Sequence, residues 1–100
     1  MRLDSGIEIP VDGVSEICRR YGVKEMAVFG SAARGDSGPD SDIDIMVELF
    51  AESQLGLDFF RLEEELTQIL GRRVDLGTKR GLRPRVRPFA LRDARVIYAA

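Results

Sequence analysis

The 100-residue chain has no histidine and a single cysteine. Without histidine there can be no Ser-His-Asp triad, no Cys-His dyad and no histidine-ligated zinc. One cysteine cannot form an internal disulfide. Cys18 lies at helical spacing with Val14, Ile17 and Tyr21, so it reads as a small buried apolar residue rather than a reactive thiol. No apolar run is long enough to span a bilayer, and nothing reads as a signal peptide, so a soluble, cytoplasmic protein is expected. Any catalysis must rest on carboxylates, metal ions, hydroxyls or basic side chains.

One hundred residues correspond to one small domain. It is read as a single unit over 1–100, with residues 1–10 as an N-terminal extension of no clear pattern. Apolar residues make up 44% of the chain, enough for one thin core. A core of that size often leans on a homo- or hetero-oligomer. The net charge of −2 hides an asymmetry. Residues 1–71 carry six Lys/Arg against fifteen Asp/Glu, and residues 72–100 carry nine against two. The basic third needs an anionic neighbour or a solvated face. Phe89 and Tyr98 are its only aromatics, too few for a single-strand binder that stacks bases, so nucleic acid is not the expected partner.

Apolar residues at 11, 14, 17, 18 and 21 predict a helix over Val11 to Tyr21, stopped by Gly22. The run Met26-Ala27-Val28-Phe29 predicts a buried strand from Lys24 to Phe29. Ser31 is placed to cap a short helical turn through Arg34. Residues 35–40 read as a loop. From Asp42 to Leu49 the pattern has period two, with Ile43, Ile45, Val47 and Leu49 on one face. Apolar positions 55, 59, 62, 66, 69 and 70 predict a helix over Leu55 to Leu70, stopped by Gly71. Val74 to Leu76 is a short strand, and an irregular basic segment follows. Pro88 to Asp93 reads as a short helix and Arg95 to Tyr98 as a last strand. The expected fold is α/β, a small mixed sheet with helices packed against it.

The informative segment is Gly30-Ser31-Ala32-Ala33-Arg34-Gly35 followed by Ser41-Asp42-Ile43-Asp44. Alternation along a strand puts Asp42 and Asp44 on one face, their charges within roughly 6–7 Å. Such a pair repels, and a divalent cation relieves the conflict while gaining oxygen ligands it prefers. Taken alone, an Asp-x-Asp is more often the solvated face of an edge strand. Its neighbours change that balance. Gly30 has no Cβ to keep a phosphate from the backbone, Ser31 opens a turn whose N–H groups can face an anion, and Arg34 can add a charge-assisted contact. Gly30 and Gly35 have the spacing of a Walker loop, but Asp36 stands where that loop needs lysine. Asp75, flanked by Val74 and Leu76, can lie beside Asp42 and Asp44 on a neighbouring strand. Three carboxylates suit two cations about 3.5–4 Å apart, the arrangement for in-line phosphoryl displacement. The rival reading of Asp75 is a strand-end residue capping a turn.

This combination resembles the nucleotidyltransferase signature, Gly-Ser followed after about ten residues by Asp-x-Asp. In so short a chain, with Val74-Asp75-Leu76, it resembles the minimal nucleotidyltransferase (MNT) family over roughly residues 11–98. The resemblance implies a polymerase-β-like nucleotidyltransferase fold. It implies that Gly30 and Ser31 hold the β- and γ-phosphates of ATP or another nucleoside triphosphate. It implies that Asp42 and Asp44 bind two Mg²⁺ ions and that Asp75 joins them at the ion activating the acceptor hydroxyl. Larger relatives carry an added acceptor domain for which this chain has no room, so the acceptor is expected from another protein. The family's usual partner is a HEPN-domain toxin, with the MNT chain as antitoxin transferring AMP onto a toxin tyrosine. Two alternatives stay open: a non-catalytic module that masks its partner, and an enzyme modifying a small molecule.

Overall fold

The computed structural model describes residues 1–3, 6–35 and 41–100. The chain runs α1 (Val11–Tyr21), β1 (Val23–Phe29), α2 (Ser31–Arg34), β2 (Ile43–Leu49), α3 (Asp58–Leu70), β3 (Val74–Thr78), α4 (Arg87–Asp93) and β4 (Arg95–Ala99). The strands form one mixed sheet in the order β3-β2-β1-β4. β1 is antiparallel to both β2 and β4, and β2 is parallel to β3. The α/β architecture expected from the pattern is therefore the one observed.

One face of the sheet makes the core. Ile43, Ile45 and Val47 of β2 and Val74 and Leu76 of β3 pack in one cluster with Val14, Ile17 and Cys18 of α1 and Leu62 and Leu66 of α3. Burial pushes the Cys18 thiol up to about 12, so it is an inert apolar filler, as its spacing predicts. β1 lies between β2 and β4, and α1, α2 and α4 contact it, so its apolar residues Met26, Ala27 and Val28 are buried on both faces. Ala27 and Met46, register partners across β1 and β2, are buried together with Ala90 of α4, yet none of the three joins the main cluster. They mark the second face, which α4 covers over β1.

Several boundaries differ from the sequence expectation. α3 starts at Asp58 because Gly56, at φ 53°, turns the chain there. The amide of Asp58 donates to the Leu55 carbonyl at 2.8 Å, so Leu55 belongs to a turn. β2 begins one residue later, at Ile43, and β3 runs on to Thr78 because its pairing with β2 continues to Val47. Residues 1–9 carry no periodic signal, but Leu3, Ile7 and Ile9 are buried in the core cluster and Arg2 bridges to Glu8. Of the expected loop over 35–40, residues 36–40 lie outside the described residues.

Candidate active site

The parallel register of β2 and β3 sets the site. It pairs Ile43 with Val74, Asp44 with Asp75 and Ile45 with Leu76. Adjacent residues in a ladder point to the same side, so Asp44 and Asp75 share the face opposite the core. Asp42 precedes β2 and is exposed, as is Asp75, while Asp44 is half-buried. Burial raises the pKa of Asp44, and the carboxylates of Asp75 and then Asp42 raise it further, partly offset by the Arg34 guanidinium. Two of the aspartates singled out in the sequence, Asp75 and Asp42, therefore act on the third, Asp44.

Among the described residues, no three acidic, histidine or cysteine side chains are gathered closely enough to hold a metal ion. The expected carboxylate cluster is thus open rather than closed. Its exposed members, Asp42 and Asp75, flank the half-buried Asp44. The donor chemistry still fits a hard divalent cation. All the donors are carboxylate oxygens, and their mutual repulsion is what such an ion relieves.

Gly30 sits between β1 and α2 at φ 70° and ψ −150°. A Cβ at this position would come within 2.6 Å of Asp44 Oδ2. Glycine is thus required twice, for a backbone that L side chains avoid and for clearance of the Asp44 carboxylate. The sequence offered only the approach of a phosphate as a reason for it.

Ser31 differs from its expected part as a cap. Gly30 is the N-cap of α2, and no side chain caps the turn. The amides of Ala33 and Arg34 both donate to the Gly30 carbonyl at 3.1 Å, so the turn itself uses them. Arg34 Nη1 lies 3.4 Å from Asp93 Oδ2 at the end of α4. Arg34 is thereby held between Asp93 and the field of Asp44.

Three residues that support the site carried no signal in the sequence. Asp93 anchors Arg34. Glu63 of α3 accepts from the Leu76 amide at 3.0 Å, and Thr67 Oγ1 accepts from the Val74 amide at 3.2 Å. These two bonds satisfy the outer edge of β3 and hold Asp75 in register beside Asp44.

Carboxylates at the starts of two parallel strands, set beside a glycine-serine turn at the end of a third, are an arrangement that can carry metal-assisted nucleotidyl transfer. The chain belongs to the nucleotidyltransferase domain family, whose profile matches residues 12–97. It is 45% identical over 83 residues to the protein adenylyltransferase MntA of Thermococcus cleftensis, covering 83% of this chain and 81% of that one. A solved structure provisionally described as a minimal nucleotidyltransferase superposes with a TM-score of 0.71 at 42% identity, covering 85% of this chain and 86% of its own. The fold also matches, at 18% identity and a TM-score of 0.65, a chain in a complex of a tri-AMPylated Shewanella oneidensis HEPN toxin with its MNT antitoxin. That match covers 90% of this chain and 70% of the other.

Proposed function

We propose that this nucleotidyltransferase moves AMP from ATP to a hydroxyl of a partner protein, a tyrosine of a HEPN-domain toxin, and so acts as its antitoxin. The observation that carries the reading is the Asp44–Asp75 register beside Gly30. Its specificity for AMP and for a protein acceptor draws on the MntA relative, and the toxin partner on the AMPylated complex that shares the fold.

In the reaction the acceptor oxygen forms a bond to the α-phosphorus of ATP as the bond to the bridging α–β oxygen breaks. Pyrophosphate leaves with that oxygen, and the acceptor loses its proton. Asp42 and Asp44 would hold two Mg²⁺ ions, with Asp75 joining them. Bound there, the ions supply neutralisation of the triphosphate and activation of the acceptor hydroxyl. Asp75, on the edge strand and exposed, is the carboxylate an incoming acceptor meets first and the one that orients its hydroxyl. Gly30 and Ser31 hold the β- and γ-phosphates, and Arg34 adds its positive charge between Asp44 and Asp93.

The test is an intact mass of the chain purified with a co-expressed HEPN-domain protein. With Mg²⁺ and ATP the partner should gain one or more AMP units, and the Asp42→Asn/Asp44→Asn variant should leave it unmodified. A partner that is bound and inhibited with no mass change would establish masking instead. Of the described helices none is long and apolar enough to cross a membrane.

A further inference from the structure

A depression of the surface lies away from the aspartates. It is an open groove of about 880 Å³ at the opposite ends of β2 and β3, whose lining includes Lys24, Glu48, Phe50, Lys79, Arg80 and Arg87. Asp44 and Glu48 are four residues apart on β2, which at about 3.3 Å per residue puts the groove about 13 Å from the carboxylates on the same face of the sheet. Between the two lie Met46 and its register partner Gly77. Met46 is buried, whereas nothing stands within 4 Å of where a Gly77 side chain would begin, so an extended segment running from one to the other would pass on the Gly77 side.

The groove carries four cationic side chains against Glu48 and Glu52. Lys24 and Lys79 approach the same carboxylate, Glu48, at 3.8 and 4.0 Å. Among the described residues, Arg80 and Arg87 form no ion pair, so the groove has cationic capacity to spare. Phe50 and the partly buried Leu49 add an apolar wall.

We propose that this groove docks an acidic segment of the polypeptide acceptor, lying about four extended residues from the hydroxyl presented to Asp75. The proposal rests on transfer to a protein hydroxyl and deepens it. Charge and composition favour a peptide. Arginine forks pair bidentately with carboxylates, and the apolar wall suits side chains between them. Phe50 is the only aromatic in the lining, whereas single-stranded nucleic acid is held by stacking on several.

Fluorescence anisotropy on the whole chain tests this without ATP. The probes are a labelled peptide with a tyrosine followed by glutamates and a matched peptide with glutamines. The glutamate peptide should bind about tenfold more tightly, and the difference should shrink as salt rises. Arg80→Glu/Arg87→Glu should abolish the preference and leave ATP affinity unchanged. The milder Arg80→Gln/Arg87→Gln should reduce the preference with the same melting temperature as wild type. Equal binding of the two peptides by wild type would overturn the proposal. So would a loss of ATP affinity in the arginine variants, or tighter binding of a single-stranded adenine oligonucleotide that displaces the peptide. Failure of AMP transfer would instead overturn the proposed activity, since this assay reads binding alone.

Discussion

Ile43, Ile45 and Val47 of β2 are all but inaccessible to solvent, whereas Asp44, between the first two, is half-buried beside the exposed Asp75. The same alternation that seals one face of the strand leaves the other face with charge it cannot disperse. The core face gains from every apolar atom it hides. The opposite face holds like charges together in a partly dry place, with Gly30 backed against one of them. Stability and chemistry are thus divided between odd and even positions of a single strand, and each face should fail in its own way when changed.

The largest effect is expected on the charged face. Asp44→Asn should reduce transfer by about a thousandfold or more, because the charge it removes is central to the proposed ion site. The same change should raise the melting temperature of the metal-free chain. The pKa of Asp44 is raised, so the folded chain holds this proton to higher pH than the unfolded chain does. Stability is therefore lost as pH climbs from the ordinary aspartate value of 3.8 through the raised one, and asparagine removes that loss. A thermal melt of the variant that falls below wild type across this window would mean that Asp44 supports the fold rather than straining it.

Asp75→Asn separates roles within that face. Transfer should fall by about a hundredfold or more while ATP affinity, read by calorimetry, stays close to wild type. Loss of ATP binding as complete as in the Asp42→Asn variant would place Asp75 on the triphosphate instead of the acceptor.

Gly30→Ala couples the two faces. It asks for a left-handed backbone and puts a Cβ 2.6 Å from Asp44 Oδ2. A cost of about 1–3 kcal/mol is expected, or a melting temperature lower by roughly 5–20 °C in a domain of this size, together with weakened transfer. By contrast, Ile45→Val on the core face should cost about 0.5–1.5 kcal/mol with kcat preserved. Equal loss of kcat in the two variants would show that the faces are not separable.

The smallest effect concerns the surface tie between α1 and α3. The Tyr21 hydroxyl donates to Glu65, and Arg20 Nη2 donates to its other oxygen at 2.8 Å. The Tyr21 and Arg20 hydrogen bonds lower the pKa of Glu65. The contribution is therefore complete above the usual glutamate value of 4.5 and disappears as pH falls through the lowered one. Glu65→Gln should lower the melting temperature by about 1–2 °C at neutral pH, as an exposed pair does, and the gap to wild type should close in acid. A gap that widens below pH 4.5 would rule out this origin.

Local pattern alone determined a good deal of this protein. The helix Val11–Tyr21 is legible residue for residue, because a 3.6-residue stripe and a glycine stop are properties of the chain near each position. The period of two in β2 put Ile43, Ile45 and Val47 inside and Asp44 outside, and Gly30, Ser31, Asp42, Asp44 and Asp75 stood out for their chemistry. Only the tertiary structure decided the rest. That Asp75 meets Asp44 follows from the register of two strands joined through a helix, and it depends on Glu63 and Thr67 of that helix holding the β3 edge. The clash that forbids a Cβ at Gly30, the hold of Asp93 on Arg34 and the burial of Leu3, Ile7 and Ile9 are likewise contacts between distant segments. A sequence pattern reports which face a side chain takes on its own element; it carries no record of what arrives opposite that face when the elements pack.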